Sequence, residues 1–156
     1  MNPSILAEVV NVEIEAEYQG TVFERTVRIR VGTEEFNCYE DASHVTEADT
    51  GEKVDLVLLA QPVVDYEVNN SEGNVIVQQT ATESETSKWH TEICGVVQAI
   101  DSRGDEDRYL CVDVGAGTVL VPIEGQLMGL VSDGEIEVGS NITIVAGRLD
   151  VIDRNN

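Results

Sequence analysis

The chain lacks a basic region, a helical period, a long apolar run and a cysteine framework, and each absence removes a class of protein. Nine Lys and Arg residues face 30 Asp and Glu, a formal net charge of −21 over 156 residues. The deficit is spread evenly: residues 1–70 carry 15 acids and four bases, 71–90 three and one, and 91–156 twelve and four. Neither half is therefore a basic module carrying an acidic tail. Cys38, Cys94 and Cys111 are odd in number and widely spaced, which argues against a disulfide framework and a zinc ribbon. Each lies in or beside an apolar run and reads as a small buried hydrophobe. No stretch approaches a membrane span, and the opening MNPSILAEVV has no basic n-region, so a soluble cytoplasmic protein is expected. His44 and His90 have no partners at a telling spacing, and Cys38, six residues before His44, makes at most half a metal site. No catalytic residue, metal or cofactor is expected.

What is present is valine and carboxylate. Valine fills 24 positions, while lysine fills only Lys53 and Lys88. This composition resembles the proteins of salt-accumulating archaea, in which surface carboxylates hold water and cations. The resemblance implies a halophilic cytoplasm, and it makes the charge a property of the solvent rather than a sign of the partner. Self-repulsion destabilises a compact acidic chain, and salt removes that cost as the Debye length falls from ~10 Å at 0.1 M to ~3 Å at 1 M. The fold is expected to weaken on desalting. Apolar residues make up 42% of the chain, enough to build a core rather than a disordered tail.

Apolar and polar residues alternate in short stretches: Val10-Val12-Ile14-Ala16, Val27-Ile29-Val31, Leu110-Val112-Val114, Val119-Val121-Ile123 and Ile142-Ile144-Ala146. Alternation of this kind marks half-buried strands, and Gly, Asn and Asp clusters supply the turns. Helical character is confined to a turn or two at Gln126–Val131. The strands recur in order: Glu8–Val12 resembles Glu92–Val96 at an offset of 84, Val27–Gly32 resembles Leu110–Gly115 at 83, and Val54–Ala60 resembles Ser140–Ala146 at 86. Each half then reads as a long first strand, a glycine-turned hairpin, a connection, and a last pair of strands (Val54–Ala60 with Val63–Val68; Ile142–Ala146 with Leu149–Ile152). That order resembles a five-stranded OB-fold, a small Greek-key barrel. The expected organisation is all-β, with one OB-like barrel at residues 1–70, a polar spacer or hairpin arm at 71–90, and a second barrel at 91–156. The alternative is one larger sandwich or barrel that shares strands between the halves.

The OB resemblance implies a binding face on the second and third strands, where single-stranded DNA or RNA meets aromatic platforms and a basic groove. In the first half Arg28 and Arg30 share one sheet face by parity, and Phe36 and Tyr39 stand on the next strand. The second half has Cys111 and Asp113 where the first has Arg28 and Arg30. Other motifs favour structural readings. The run Asp101-Ser102-Arg103-Gly104-Asp105-Glu106-Asp107 has the wrong spacing for a calcium loop. Gly115-Ala116-Gly117 is a hairpin turn rather than a dinucleotide fingerprint. Trp89-His90 packs a spacer, and the sequons Asn69-Asn70-Ser71 and Asn141-Ile142-Thr143 have no secretory context. The function expected is non-catalytic: a binding or scaffolding module, foremost a protein–protein adaptor or assembly subunit. It would engage another protein or a second copy of itself, with single-stranded nucleic acid at Arg28, Arg30, Phe36 and Tyr39 as the alternative.

Overall fold

The computed structural model describes residues 3–68, 73–78, 90–103 and 107–155. Most of the expected spacer (79–89, with Trp89), the first sequon and the tip of the acidic loop lie outside the described residues. The protein is all-β. Its strands are β1 (Ile5–Tyr18), β2 (Thr21–Val31), β3 (Glu34–Glu40), β4 (Lys53–Val68), β5 (Val75–Gln78), β6 (Thr91–Arg103), β7 (Asp107–Asp113), β8 (Thr118–Pro122) and β9 (Asn141–Arg154). A 3-10 turn at Glu47–Asp49 precedes β4, and the one α-helix among the described residues, the short α1 (Gln126–Ser132), falls where the sequence allowed one.

All nine strands belong to one mixed sheet in the order β1-β2-β3-β9-β4-β8-β7-β6-β5, with further pairings β1–β4 and β9–β6. The extra pairings close two circuits. In the first, β1, β2, β3, β9 and β4 follow one another, and β4 returns to β1; in the second, β6, β7, β8, β4 and β9 do the same, and β9 returns to β6. In each circuit one link is parallel, a single bridge at Tyr39↔Asp150 or at Leu59↔Leu120. The ladders repeat between the circuits: Ile5↔Leu56 corresponds to Ile93↔Ile144, Val12↔Val27 to Ile100↔Leu110, and Val27↔Cys38 to Leu110↔Val121. The repeat therefore runs at an offset of 88 in the first and fourth strands (5 to 93, 56 to 144) and 83 in the second and third (27 to 110, 38 to 121).

Two separate barrels in tandem are not what this pairing produces. Each half was expected to end in a hairpin, turning near Gln61-Pro62 or Gly147-Arg148, but the chain continues through both places as one extended strand. β4 and β9 then pair antiparallel along nearly their full length, from Leu56↔Arg154 to Val68↔Ile142. Exchanging the two strands maps this ladder onto itself, since Leu56↔Arg154 becomes Tyr66↔Ile144 under the offset of 88. Strands are shared between the halves, as in the alternative organisation, but within one large mixed sheet that is not a regular barrel. The physical reason is that a turn and a straight crossing satisfy the same backbone groups; here the partner strand comes from the other half instead of from the same one.

The core follows from this exchange. One buried cluster runs without a break from Ile5, Val27, Ile29 and Phe36 in the first circuit to Ile93, Leu110, Val121 and Ile144 in the second. On the opposite face of β4, Val57 and Leu59 meet Cys111 and Leu120 in a second, smaller cluster. The stretch Val54–Ala60 is thus covered on both faces, which accounts for its nearly unbroken apolar sequence. All three cysteines are buried free thiols; burial pushes Cys38 well above the ordinary thiol range and raises Cys111 as well.

Candidate interaction surfaces

On β2 the residues Val27 and Ile29 point inward, so Arg28 and Arg30 stand on the outer face; on β3, Glu35, Asn37 and Tyr39 share that face while Phe36 and Cys38 turn inward. Phe36 is only 3% exposed and belongs to the core; it has no free ring face for a base and leaves the expected set. Arg28 Nε donates to Glu35 Oε1 at 2.7 Å and its Nη1 to Asn37 Oδ1 at 3.1 Å. Arg30 reaches Glu8 Oε1 at 3.0 Å and Glu35 Oε2 at 3.1 Å. Hydrogen bonds from Arg28 and Arg30 hold the Glu35 carboxyl below its usual range, and Glu35 in turn raises Arg30. Both arginine side chains remain about 40% exposed, at 42% and 41%.

Tyr39 carries a partner that parity within one half could not supply. Arg148, from the far end of the chain, lies over its ring at 4.2 Å from the centroid, and Arg148 Nε stands 2.7 Å from Asp150 Oδ1. The Tyr39 hydroxyl donates to Glu24 at 3.0 Å, and burial, with Glu24 second, raises its pKa. Arg148 reaches this face only because β9 crosses into the first circuit, so only the strand exchange reveals it. A hollow of about 290 Å³ beside Tyr39, Arg148, Asp150, Gln61, Asp41 and His44 opens on the same side.

Beneath this face Glu40, 1% exposed, accepts the backbone N–H groups of His44 at 2.6 Å and Val45 at 2.7 Å. Desolvation raises its pKa above the ordinary carboxylate value in spite of these bonds. This is a structural use of the carboxylate: it holds the connection over Val45, which is fully buried. Arg154 pins the same connection, donating to the His44 carbonyl at 3.1 Å and meeting Asp49 at 3.0 Å.

Leu6, Val64, Met128 and Val138 are exposed, and two further stretches, an arm and an edge strand, leave apolar side chains uncovered. Past Arg25, β2 pairs only with β1, and together they form an arm closed by Gln19 and Gly20, both at positive φ as a tight two-residue hairpin turn requires. Ile14, Tyr18 and Phe23 on this arm are 46%, 66% and 51% exposed. The second is β5, which among the described residues pairs only with β6 and leaves Val75 and Val77 exposed. Among the described residues no group of three His, Cys, Asp or Glu side chains is arranged to hold a metal, and no helix is long and apolar enough to cross a membrane. A hollow of about 570 Å³ is bordered by Val68, Gly134, Glu135 and Glu137–Ser140, and its one hydroxyl, that of Ser140, has no imidazole beside it among these lining residues.

No family model, curated protein or solved structure matches the chain. Its surfaces alone carry the functional reading.

Proposed function

We propose that this protein is a non-catalytic protein-binding module, an adaptor or assembly subunit, working in a salt-rich cytoplasm. The observation that carries the reading is the β1–β2 arm. The chain holds only two Phe and four Tyr, yet Phe23 and Tyr18 both stand in solvent beside Ile14 on one projecting hairpin. Other apolar side chains are exposed too, Leu6, Val64, Met128 and Val138 among them, but among the described residues the arm alone sets two uncovered aromatics on one hairpin, and exposed aromatics of this kind are the signature of a partner surface. In the same reading each closed circuit is an OB-like barrel whose fifth strand is contributed by the other half, which makes a rigid double platform for the arm. The test is affinity capture in high KCl with the native chain and an Ile14→Ser/Tyr18→Ser/Phe23→Ser variant. Partners retained by the native chain and lost by the folded variant support the reading; identical partner lists refute it.

A second reading has its own observation. Arg28, Arg30, Tyr39 and Arg148 share one outer face, and the three arginine side chains are each about 40% exposed. Such a face stacks single-stranded bases without sequence preference. Their carboxylate partners, Glu8, Glu35 and Asp150, compete with phosphate for the same guanidiniums, which places this reading behind the first. Titration of fluorescent single-stranded oligonucleotides against the native chain and an Arg28→Ala/Arg30→Ala variant decides it: binding lost in the variant supports it, and no binding removes it.

A further inference from the structure

We propose that the trough between β3 and β5 receives an extended segment of the partner protein by strand addition, and that this segment alternates apolar residues between flanking lysines or arginines. The proposal rests on the protein-binding reading and adds a site distinct from the arm. Three features of the trough converge.

The first is a pair of edges that, among the described residues, carry no further strand. Away from β2, β3 pairs only through Tyr39↔Asp150, so among the described residues no strand occupies its edge along residues 34–38. β5 likewise offers the edge away from β6. The second is Gln78, at the end of β5, which bridges the two. Its Oε1 accepts the Asn37 N–H at 2.7 Å and its Nε2 donates to the Asn37 carbonyl at 2.9 Å. The carboxamide thus meets Asn37 as the peptide group of a neighbouring strand would. A side chain in that role means the strands stand farther apart than direct pairing at about 4.8 Å permits. Since side chains and backbone bonding directions alternate along a strand, Glu35 directs its N–H and C=O to the same open edge as Asn37.

The third is the lining. Beyond Gln78 the gap widens into a trough of about 260 Å³ bordered by Val31, Glu34, Phe36, Val75, Val77 and Ala116. Its walls are mostly apolar, with Asn74 at one side, and among the described residues its one charged border residue is Glu34. Main-chain bonds to an edge supply affinity while pockets for alternate side chains supply selectivity. A second copy of this chain is a poor occupant, because it brings the same charge of −21 to an acidic border. A basic, strand-forming segment meets the border with opposite charge.

The experiment uses the full chain at the lowest KCl that keeps it folded, with a probe peptide of alternating valine and threonine flanked by lysine pairs. The expected result is saturable binding, with amide NMR shifts at residues 34–37 and 75–78. Alternate N-methylation of the peptide, a glutamate-flanked version, or Val75→Lys/Val77→Lys in the protein should each weaken binding about tenfold or more. The Tyr18→Ser/Phe23→Ser variant should bind the peptide as the native chain does. No binding, equal binding of the N-methylated peptide, shifts elsewhere, or self-association through β5 overturns the proposal. Capture of a cellular partner that depends on the arm but survives Val75→Lys/Val77→Lys refutes the trough and leaves the protein-binding reading standing.

Discussion

The first hairpin and its counterpart in the second half leave the same ladder and then diverge. From Val12↔Val27 the chain spends residues 13–26 before returning, whereas from Ile100↔Leu110 it spends only 101–109. The five extra residues of the first half build the arm that exposes Tyr18 and Phe23. The paired strands below the arm have equivalents in both halves; the uncovered aromatics do not. A repeated scaffold therefore explains the fold, and the departures from repetition are where a partner surface is to be sought.

The sharpest way to break the comparison is at Gly95, which corresponds to Ala7 at the offset of 88. A Cβ added at Gly95 would collide with the backbone carbonyl of Asp113, whereas Ala7 carries its methyl inside the core at 2% exposure. Gly95→Ala, which gives the second half the residue of the first, is expected to cost about 3 kcal/mol or more, read as a shift in denaturant midpoint. Equal stability would mean that position 95 accommodates a methyl as position 7 does, and that the close approach of Asp113 is not what separates the halves. Close behind comes Phe36→Ala, expected to cost about 3–5 kcal/mol because it empties a core position.

Glu40→Gln should cost about 1–3 kcal/mol, since an amide cannot accept both N–H groups that the carboxylate now satisfies. It also tests a sign. Glu40 titrates above its ordinary 4.5 in the fold, so the native state holds its proton longer than the unfolded chain. Its contribution to stability falls as pH rises from that ordinary value through the raised one. Glu35 and Asp49, both lowered, act in the opposite direction, their stabilisation being lost as pH falls below the ordinary carboxylate range. Subtracting the Glu40→Gln profile from the native one isolates the descending component, and a flat difference would contradict the burial argument.

Gln78→Ala removes the carboxamide bridge between β5 and β3 and should cost about 1 kcal/mol. At the small end stand Tyr18→Ser and Phe23→Ser, within about 0.5 kcal/mol of the native chain. The contrast between Phe23 and Phe36, one residue type with opposite costs, sharpens the distinction between arm and core. A melting midpoint that rises from dilute buffer to multimolar KCl is expected for every one of these chains. A midpoint flat in salt would refute the halophilic reading.

Much of the strand pattern was legible in the residues. Alternation located the strands, parity put Arg28 and Arg30 on one outer face, and the glycine-bearing turns marked the hairpins. Phe36 was misassigned because its neighbours on β3 alternate as well as it does, and aromatic character is silent about which parity faces the core. Arg148 was missed altogether: it lies 109 positions beyond Tyr39 in the chain, and no spacing rule relates them.

By itself, then, the sequence determined a valine-rich, acidic, all-β chain with two similar halves, because local alternation and turn chemistry act between near neighbours. Only the tertiary structure decided that β4 and β9 run straight through Gln61-Pro62 and Gly147-Arg148 and trade places between the circuits. A strand's pattern records which of its faces is buried. It does not record whose edge it pairs with, and the same backbone hydrogen bonds form whether the partner strand comes from the same half or the other.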